Sequence, residues 1–253
     1  MPVVLYGWHM TNVPGKRLSK DEVASLNAKL EKASPQEVLQ WALSTFGRQI
    51  ALSWSGAEDV AVLDMMHRID PKAMRVFVLD TGRLNSETYE LIDEVQSKYK
   101  IAVEVQFPDA AAVEKMVGEK GINLFYRSLE NRKLCCEIRK VEPLKIMLKK
   151  LDGWITGLRR TQAVTRGKLA KIELDFAHDK IVKVNPLADW TTPQVFEYLK
   201  ANGVPTNKLH AMGYVSIGCA PCTRAVKPGE DERAGRWWWE DPKNKECGLN
   251  PTP

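Results

Sequence analysis

The chain has 253 residues, of which 44% are apolar and 27% charged, with a net charge of +5. That length suits one large α/β domain or two small ones, and the composition excludes a largely disordered chain. No apolar run approaches the roughly 20 residues that span a bilayer, and the opening MPVVLYGWHM lacks the basic start and apolar stretch of a secretory signal, so a cytoplasmic protein with no membrane association is expected.

Residues 1–30 mix Pro, Gly and charge around one short helical pattern and form a separate N-terminal segment, a candidate oligomer contact. Gln49 to Trp54 reads as a strand. Ser55-Gly56-Ala57-Glu58-Asp59 then turns into a helix with Val62, Met65, Met66 and Ile69 on one face. A second strand, Arg75 to Leu79, ends at Asp80-Thr81-Gly82, and Asn85 is placed to cap a helix bearing Thr88, Leu91, Ile92 and Val95. Ile101 to Phe107 makes a third strand. Trp154 to Gly157 makes another, and Ile172 to Val184 reads as two short strands around His178-Asp179. Thr191 or Thr192 with Pro193 opens a helix through Lys200 that Gly203 stops. Alternating strands and helices predict a mostly parallel twisted sheet with helices on both faces, in a domain over 31–223, with ligands at the carboxyl ends of the strands. Residues 224–253 turn polar and Trp-rich and are expected to form a flexible C-terminal arm.

Ser53-Trp54-Ser55-Gly56-Ala57-Glu58-Asp59 lies where a strand feeds a helix, so backbone N–H groups and the helix dipole are available to phosphate oxygens, with the Ser53 and Ser55 hydroxyls as further donors. An ordinary capping turn is the plain alternative. The five cysteines fall into an adjacent pair, Cys135 and Cys136, a C-x-x-C pair, Cys219 and Cys222, and a lone Cys247. Four thiolates in two pairs suit a structural zinc or a [4Fe–4S] cluster, although adjacent cysteines are less usual for zinc; buried thiols are the alternative. Arg139 and Lys140 could sit beside an anionic centre or simply be solvated. Arg233, Arg236, Lys243 and Lys245 precede Cys247 closely enough to lower its thiol pKa, as a nucleophile requires; an inert surface thiol is the bland reading. Trp237-Trp238-Trp239 is read as packing the arm onto the body rather than as a nucleic-acid stacking surface, and the four histidines show no metal-ligand spacing.

The Ser53–Asp59 loop resembles the PP-loop of the adenine nucleotide alpha-hydrolase superfamily, with Ala57 and Val60 in place of its usual Gly and Ser, departures shared by the sulfonucleotide reductase branch. The resemblance extends to Leu79-Asp80-Thr81-Gly82-Arg83, Cys135-Cys136-x-x-Arg139-Lys140, Gly157-x-Arg159-Arg160, Gly218-Cys219-x-x-Cys222-Thr223-Arg224 and Glu246-Cys247-Gly248-Leu249. In that order, over roughly residues 45–250, the chain resembles the assimilatory adenylyl-sulfate (APS) reductases. The resemblance implies a [4Fe–4S] cluster on Cys135, Cys136, Cys219 and Cys222 that exchanges no electrons in turnover, with Lys140 linking it to the substrate's sulfate. It also implies that Cys247 attacks the APS sulfur to give an S-sulfocysteine and AMP, and that thioredoxin then releases sulfite. Substrate contacts are implied at Ser53, Ser55, Gly56, Asp59, Leu79, Lys140, Gly157, Arg166, Arg233 and Arg236, and a homotetramer is the assembly suggested. Asn250 stands where the family commonly has His, which removes a cation there. The rival readings are a reductase of the 3′-phosphorylated analogue PAPS, an ATP-consuming tRNA thiolation enzyme and a non-catalytic metal-containing module.

Overall fold

The computed structural model describes residues 15–163, 166–241 and 248–249. Six strands, β1 Ile50–Ser53, β2 Val76–Leu79, β3 Glu104–Gln106, β4 Gly153–Ile155, β5 Ile172–Asp175 and β6 Ile181–Val184, form one sheet in the order β3-β2-β1-β4-β6-β5. All neighbours pair in parallel except β5 and β6, an antiparallel hairpin turning through Asp179 and Lys180 in left-handed conformation. The chain starts at the centre with β1, moves outward through β2 and β3, and returns to the other side of β1 as β4. That reversal places the topological switch point between β1 and β4, where open parallel sheets bind ligands.

The helices cover both faces, as the alternating pattern predicts. Ile50 and Leu52 of β1 face a core built with α1 Lys20–Leu30, α2 Pro35–Phe46, α3 Val60–Ile69, α4 Ser86–Tyr99 and α8 Thr192–Ala201, whereas Ala51 faces Phe77, Trp154 and the apolar side of α7 Glu142–Leu148. This period-two division of one strand between two cores is the signature of a buried parallel strand. Val62, Met65 and Met66 of α3 are buried in the first core, and Ile69 packs against it. Capping boxes start α1 at Ser19, α2 at Ser34 and α8 at Thr191, the arrangement that satisfies the orphan N–H groups of a first turn. No helix among the described residues is long and apolar enough to cross a membrane.

Between β3 and β4 run α5 Ala110–Lys120, α6 Leu129–Cys136 and α7, the last two joined by a π-turn over Glu137–Val141. Pro143 explains the widening: it has no N–H for the Arg139 carbonyl, and its ring would press on that carbonyl in a regular α-turn. Beyond Cys222 the chain is held to the body. Thr223 bridges Arg236, the Trp237 N–H donates to the Cys222 carbonyl, and Trp239 stacks edge-on against Tyr126 at 4.5 Å between centroids. Trp237 is fully buried while Trp238 remains partly exposed, so the tryptophan run serves mainly as packing.

Candidate active site

An open cleft of about 1180 Å³, including the part continuous with solvent, lies at the switch point. Loops following β1, β2 and β4, the π-turn, and the stretches around Ser216–Gly218 and Arg233–Trp237 wall it. Of the residues expected to touch substrate, Ser53, Ser55, Asp59, Leu79, Lys140, Gly157, Arg166, Arg233 and Arg236 all line this cleft. Gly56 is not among its lining residues. It is locked in a left-handed turn, where an added Cβ would lie 2.5 Å from the Thr88 methyl, and its carbonyl accepts from Asn207 Nδ2 at 2.8 Å.

The loop after β1 is knit together by Asp59. Its Oδ2 accepts from the Ser55 N–H at 2.8 Å, and its Oδ1 from the Ser55 hydroxyl at 2.8 Å and the Ala57 N–H at 3.3 Å. Burial, reinforced by the neighbouring Glu58, pushes the Asp59 carboxyl up to about 6, against the lowering effect of these three bonds. Glu58 is paired: its Oε1 accepts from Arg159 Nη2 at 3.0 Å, and the same Arg159 nitrogen reaches the Thr192 hydroxyl at 3.1 Å.

Several cations face the same space. Arg166 donates to Gln162 Oε1 at 2.6 Å. Arg236 is buried, with Nη1 3.3 Å from the Ile217 carbonyl and an Nε that has no hydrogen-bond partner. Gly218 lies close beside it: a Cβ there would fall 2.5 Å from Arg236 Nη2, so the guanidinium would have to shift. An arginine that lines the cleft carries a guanidinium suited to an anion.

Cys135, Cys136, Cys219 and Cys222 converge on a second, smaller cavity of about 320 Å³ walled also by Arg83, Phe125, Arg132, Arg139 and Lys140. Two chain segments far apart in sequence are thereby brought together by α6 and the turn after Gly218. Asn85, placed at the α4 N-cap as expected, makes no capping bond and instead donates to the Gly218 carbonyl at 3.1 Å. Thr81 Oγ1 lies 3.3 Å from Cys219 Sγ, and Arg139 donates to the Thr81 carbonyl at 2.6 Å. Burial raises the Cys135 thiol and pushes Cys222 up to about 12, with Cys219 adding to the latter. Burial opposes ionisation of Cys219 as well, but Lys140, the Thr81 hydroxyl and Arg236 outweigh it and bring that thiol below its ordinary value. Among the described residues no group of three or more His, Cys, Asp or Glu is arranged to hold a metal ion.

Residues 49–225 match the family model described as the phosphoadenosine phosphosulfate reductase domain. The chain belongs to this family. Among family relatives, it is 52% identical over 200 residues to the adenosine 5'-phosphosulfate reductase of Burkholderia cepacia, covering 78% of this chain and 80% of that protein. To the 5'-adenylylsulfate reductase 3, chloroplastic, of Arabidopsis thaliana it is 48% identical over 238 residues, covering 91% of this chain and 51% of the relative, so the chain spans about half the length of that plant protein. The crystal structure of a phosphoadenylyl-sulfate (PAPS) reductase from Candida auris, in phosphate complex, superposes with a TM-score of 0.71 at 30% identity, covering 83% of this chain and 99% of the other.

In this reductase-family chain Cys247, the expected nucleophile, lies outside the described residues, as do Lys243, Lys245 and Asn250. Leu249 is described and lines the cleft. Sequence reasoning missed two buried supports: Asn207, which bridges the Gly56 carbonyl and the Thr88 hydroxyl, and Arg132, paired with Glu240. Neither stands in a motif, and each partner is more than a hundred positions away.

Proposed function

We propose that the chain reduces adenylyl sulfate to sulfite with electrons from thioredoxin or a similar dithiol. The observation that carries this reading is the position of Lys140, which walls both the cleft and the four-cysteine cavity, so one cation serves the anionic substrate and the thiols together. Leu79, Leu84, Leu144 and Trp154 supply apolar lining for an adenosine, while Arg166, Arg233 and Arg236 suit the phosphosulfate. Relatives at 52% and 48% identity carry the adenylyl-sulfate name, against 30% for the structure named for PAPS.

In the reaction, the Cys247 thiolate attacks the sulfur of the sulfate. An S–S bond forms, the bond from sulfur to the phosphate oxygen breaks, and AMP leaves with that electron pair, held by the guanidiniums. A thioredoxin thiolate then attacks Cys247 Sγ, and sulfite departs with the electron pair of the broken S–S bond. The second thioredoxin thiol resolves the mixed disulfide, so the two electrons come from the dithiol and Cys247 returns as thiol. Leu249, two positions beyond Cys247 in sequence, lines the cleft where the attack is proposed.

The donor set of the smaller cavity fits a [4Fe–4S] cluster. Cys136 and Cys222 are buried among Phe125 and Trp237 with Cys135 and Cys219 packed against them, and four soft sulfurs in an apolar cavity rimmed by cations match an anionic iron–sulfur centre. Consecutive helical residues such as Cys135 and Cys136 point about 100° apart, which suits a broad polynuclear centre better than one small ion. When bound, the cluster supplies positive iron to four mutually repelling thiolates and ties α6 to the Cys219 turn. A reducing, cytoplasmic setting and a homotetramer belong to the same reading and rest on composition and resemblance; the Arabidopsis relative is named chloroplastic.

The test is an anaerobic assay of the purified protein with APS and PAPS side by side, thioredoxin as reductant. APS is expected to be favoured by about 100-fold or more in kcat/KM; a preference for PAPS contradicts the proposal.

A further inference from the structure

We infer that Arg132 is a positioning residue for the four-cysteine centre, donating a hydrogen bond to the Cys136 sulfur while Glu240 orients and neutralises its guanidinium. The inference rests on the reading that the cavity holds an iron–sulfur cluster.

Arg132 stands one turn before Cys136 in α6, at the i,i+4 spacing that brings side chains together on one helix face. Both are buried, Arg132 at 1% exposure, and both wall the smaller cavity. A side-chain hydrogen bond joins them, in which the guanidinium donates and the sulfur accepts. The rest of the guanidinium is fixed from outside the helix. Nε and Nη2 are bonded to the two Glu240 oxygens, and the Trp237 ring centroid lies 4.6 Å from the guanidinium carbon, so the plane that contains its N–H bonds is set before any ligand arrives.

Stability alone does not account for such a pair. Taking two charges out of water costs about as much as their attraction recovers, and apolar side chains of similar volume commonly serve as well. The position of the pair does account for it. Arg83, Arg139 and Lys140 bring positive charge to the cavity wall, whereas Arg132 arrives with its charge matched by Glu240. It therefore adds a directed donor and almost no field. On the other cysteine pair the Thr81 hydroxyl lies 3.3 Å from Cys219 Sγ, so at least one sulfur of each pair meets a side-chain donor. Donors behind a ligand orient it, and hydrogen bonds to cluster sulfurs tune the iron–sulfur centre.

The experiment compares anaerobic wild-type holoprotein with the double variant Arg132→Met, Glu240→Met, which removes one charge of each sign and so deletes the donor without changing the local net charge. Resonance Raman spectroscopy reads the iron–cysteine stretching bands, with the cluster assembled in ordinary or in heavy water. A thiolate relieved of its donor holds iron by a stiffer bond, so the double variant should show one such band at higher frequency and lose part of the shift that heavy water causes in wild type. Iron content per chain should match wild type, and urea stability should lie nearer wild type than that of Arg132→Met alone, which separates the lost bond from a damaged fold. Bands that coincide in the two proteins, in both solvents, would overturn the inference while leaving the cluster reading intact. Wild-type protein without iron would overturn the cluster reading, and this inference with it. Thr81→Val gives a result even where the double variant loses its cluster: with the Cys219 partner removed, a heavy-water shift should remain, and its absence contradicts a donor on Cys136.

Discussion

Arg132 and Glu240, 108 positions apart, form a bidentate ion pair with Nε to Oε1 at 3.0 Å and Nη2 to Oε2 at 2.9 Å, and both side chains are almost fully enclosed. The pair joins α6, which carries two of the four cysteines, to the segment that follows the tryptophan run. Trp237 completes the contact, its ring centroid 4.6 Å from the guanidinium carbons of both Arg132 and Arg236.

Arg132→Met leaves Glu240 charged, buried and alone. A loss of about 3–5 kcal/mol is expected in urea unfolding, and the double variant Arg132→Met with Glu240→Met should recover much of it. Equal losses in the single and double variants would show that packing rather than charge holds the segment.

Gly157→Ala pushes a methyl into Asp59 and distorts the wall shared by the β1 and β4 loops. Overpacking at such a contact typically costs 1–3 kcal/mol, so AMP affinity measured by calorimetry should fall roughly tenfold while the far-UV spectrum stays that of the parent.

Asp59 also gives the protein a pH signature. Its carboxyl, ordinarily at 3.8, is raised to about 6 in the fold, so the native state binds that proton more tightly than the unfolded chain does. Below about pH 4 both states are protonated and the residue has no pH-dependent effect. As pH climbs to about 6 the native state loses stability relative to a neutral side chain, and above that the loss is constant, at about 3 kcal/mol. Stability curves of wild type and Asp59→Asn should therefore diverge by this amount, in favour of Asn, between pH 4 and 6; parallel curves would contradict the raised value.

Lys140→Met removes the cation common to the cleft and the cysteine cavity. Turnover of APS is expected to fall about 100-fold in kcat/KM with iron content unchanged, a split that separates a role toward substrate from a role in holding the cluster.

Much of this arrangement was legible locally. The strand, polar turn and helix from Ile50 to Ile69 show because strand and helix periods follow each other within twenty residues, and the hairpin around His178-Asp179 shows because both strands flank one short turn. The helices α5 and α6, between Ala110 and Cys136, were not foreseen, for a physical reason: α5 buries only Met116, and α6 only Arg132 and Cys136, so neither carries an apolar stripe. The substrate contacts drawn from motifs and resemblance, Gly56 excepted, share one cleft, and four of the five cysteines share a neighbouring cavity, but the occupation of the loop donors by Asp59 could not be read from Ser55-Gly56-Ala57-Glu58-Asp59, since local letters do not show which donors a side chain takes. Asn207 on Gly56 and Glu240 on Arg132 were invisible because side-chain pairs across the fold leave no local pattern.

The central claim is that Cys247 takes the sulfonate from the activated sulfate. It is tested most directly by mixing the anaerobic protein with APS and no reductant, then mapping adducts by mass spectrometry while measuring AMP. One sulfonate on Cys247 with an equal amount of AMP released, followed by sulfite only when thioredoxin is added, is the expected result. Sulfite formed with full activity while Cys247 remains unmodified, or in a Cys247→Ser variant, would contradict it.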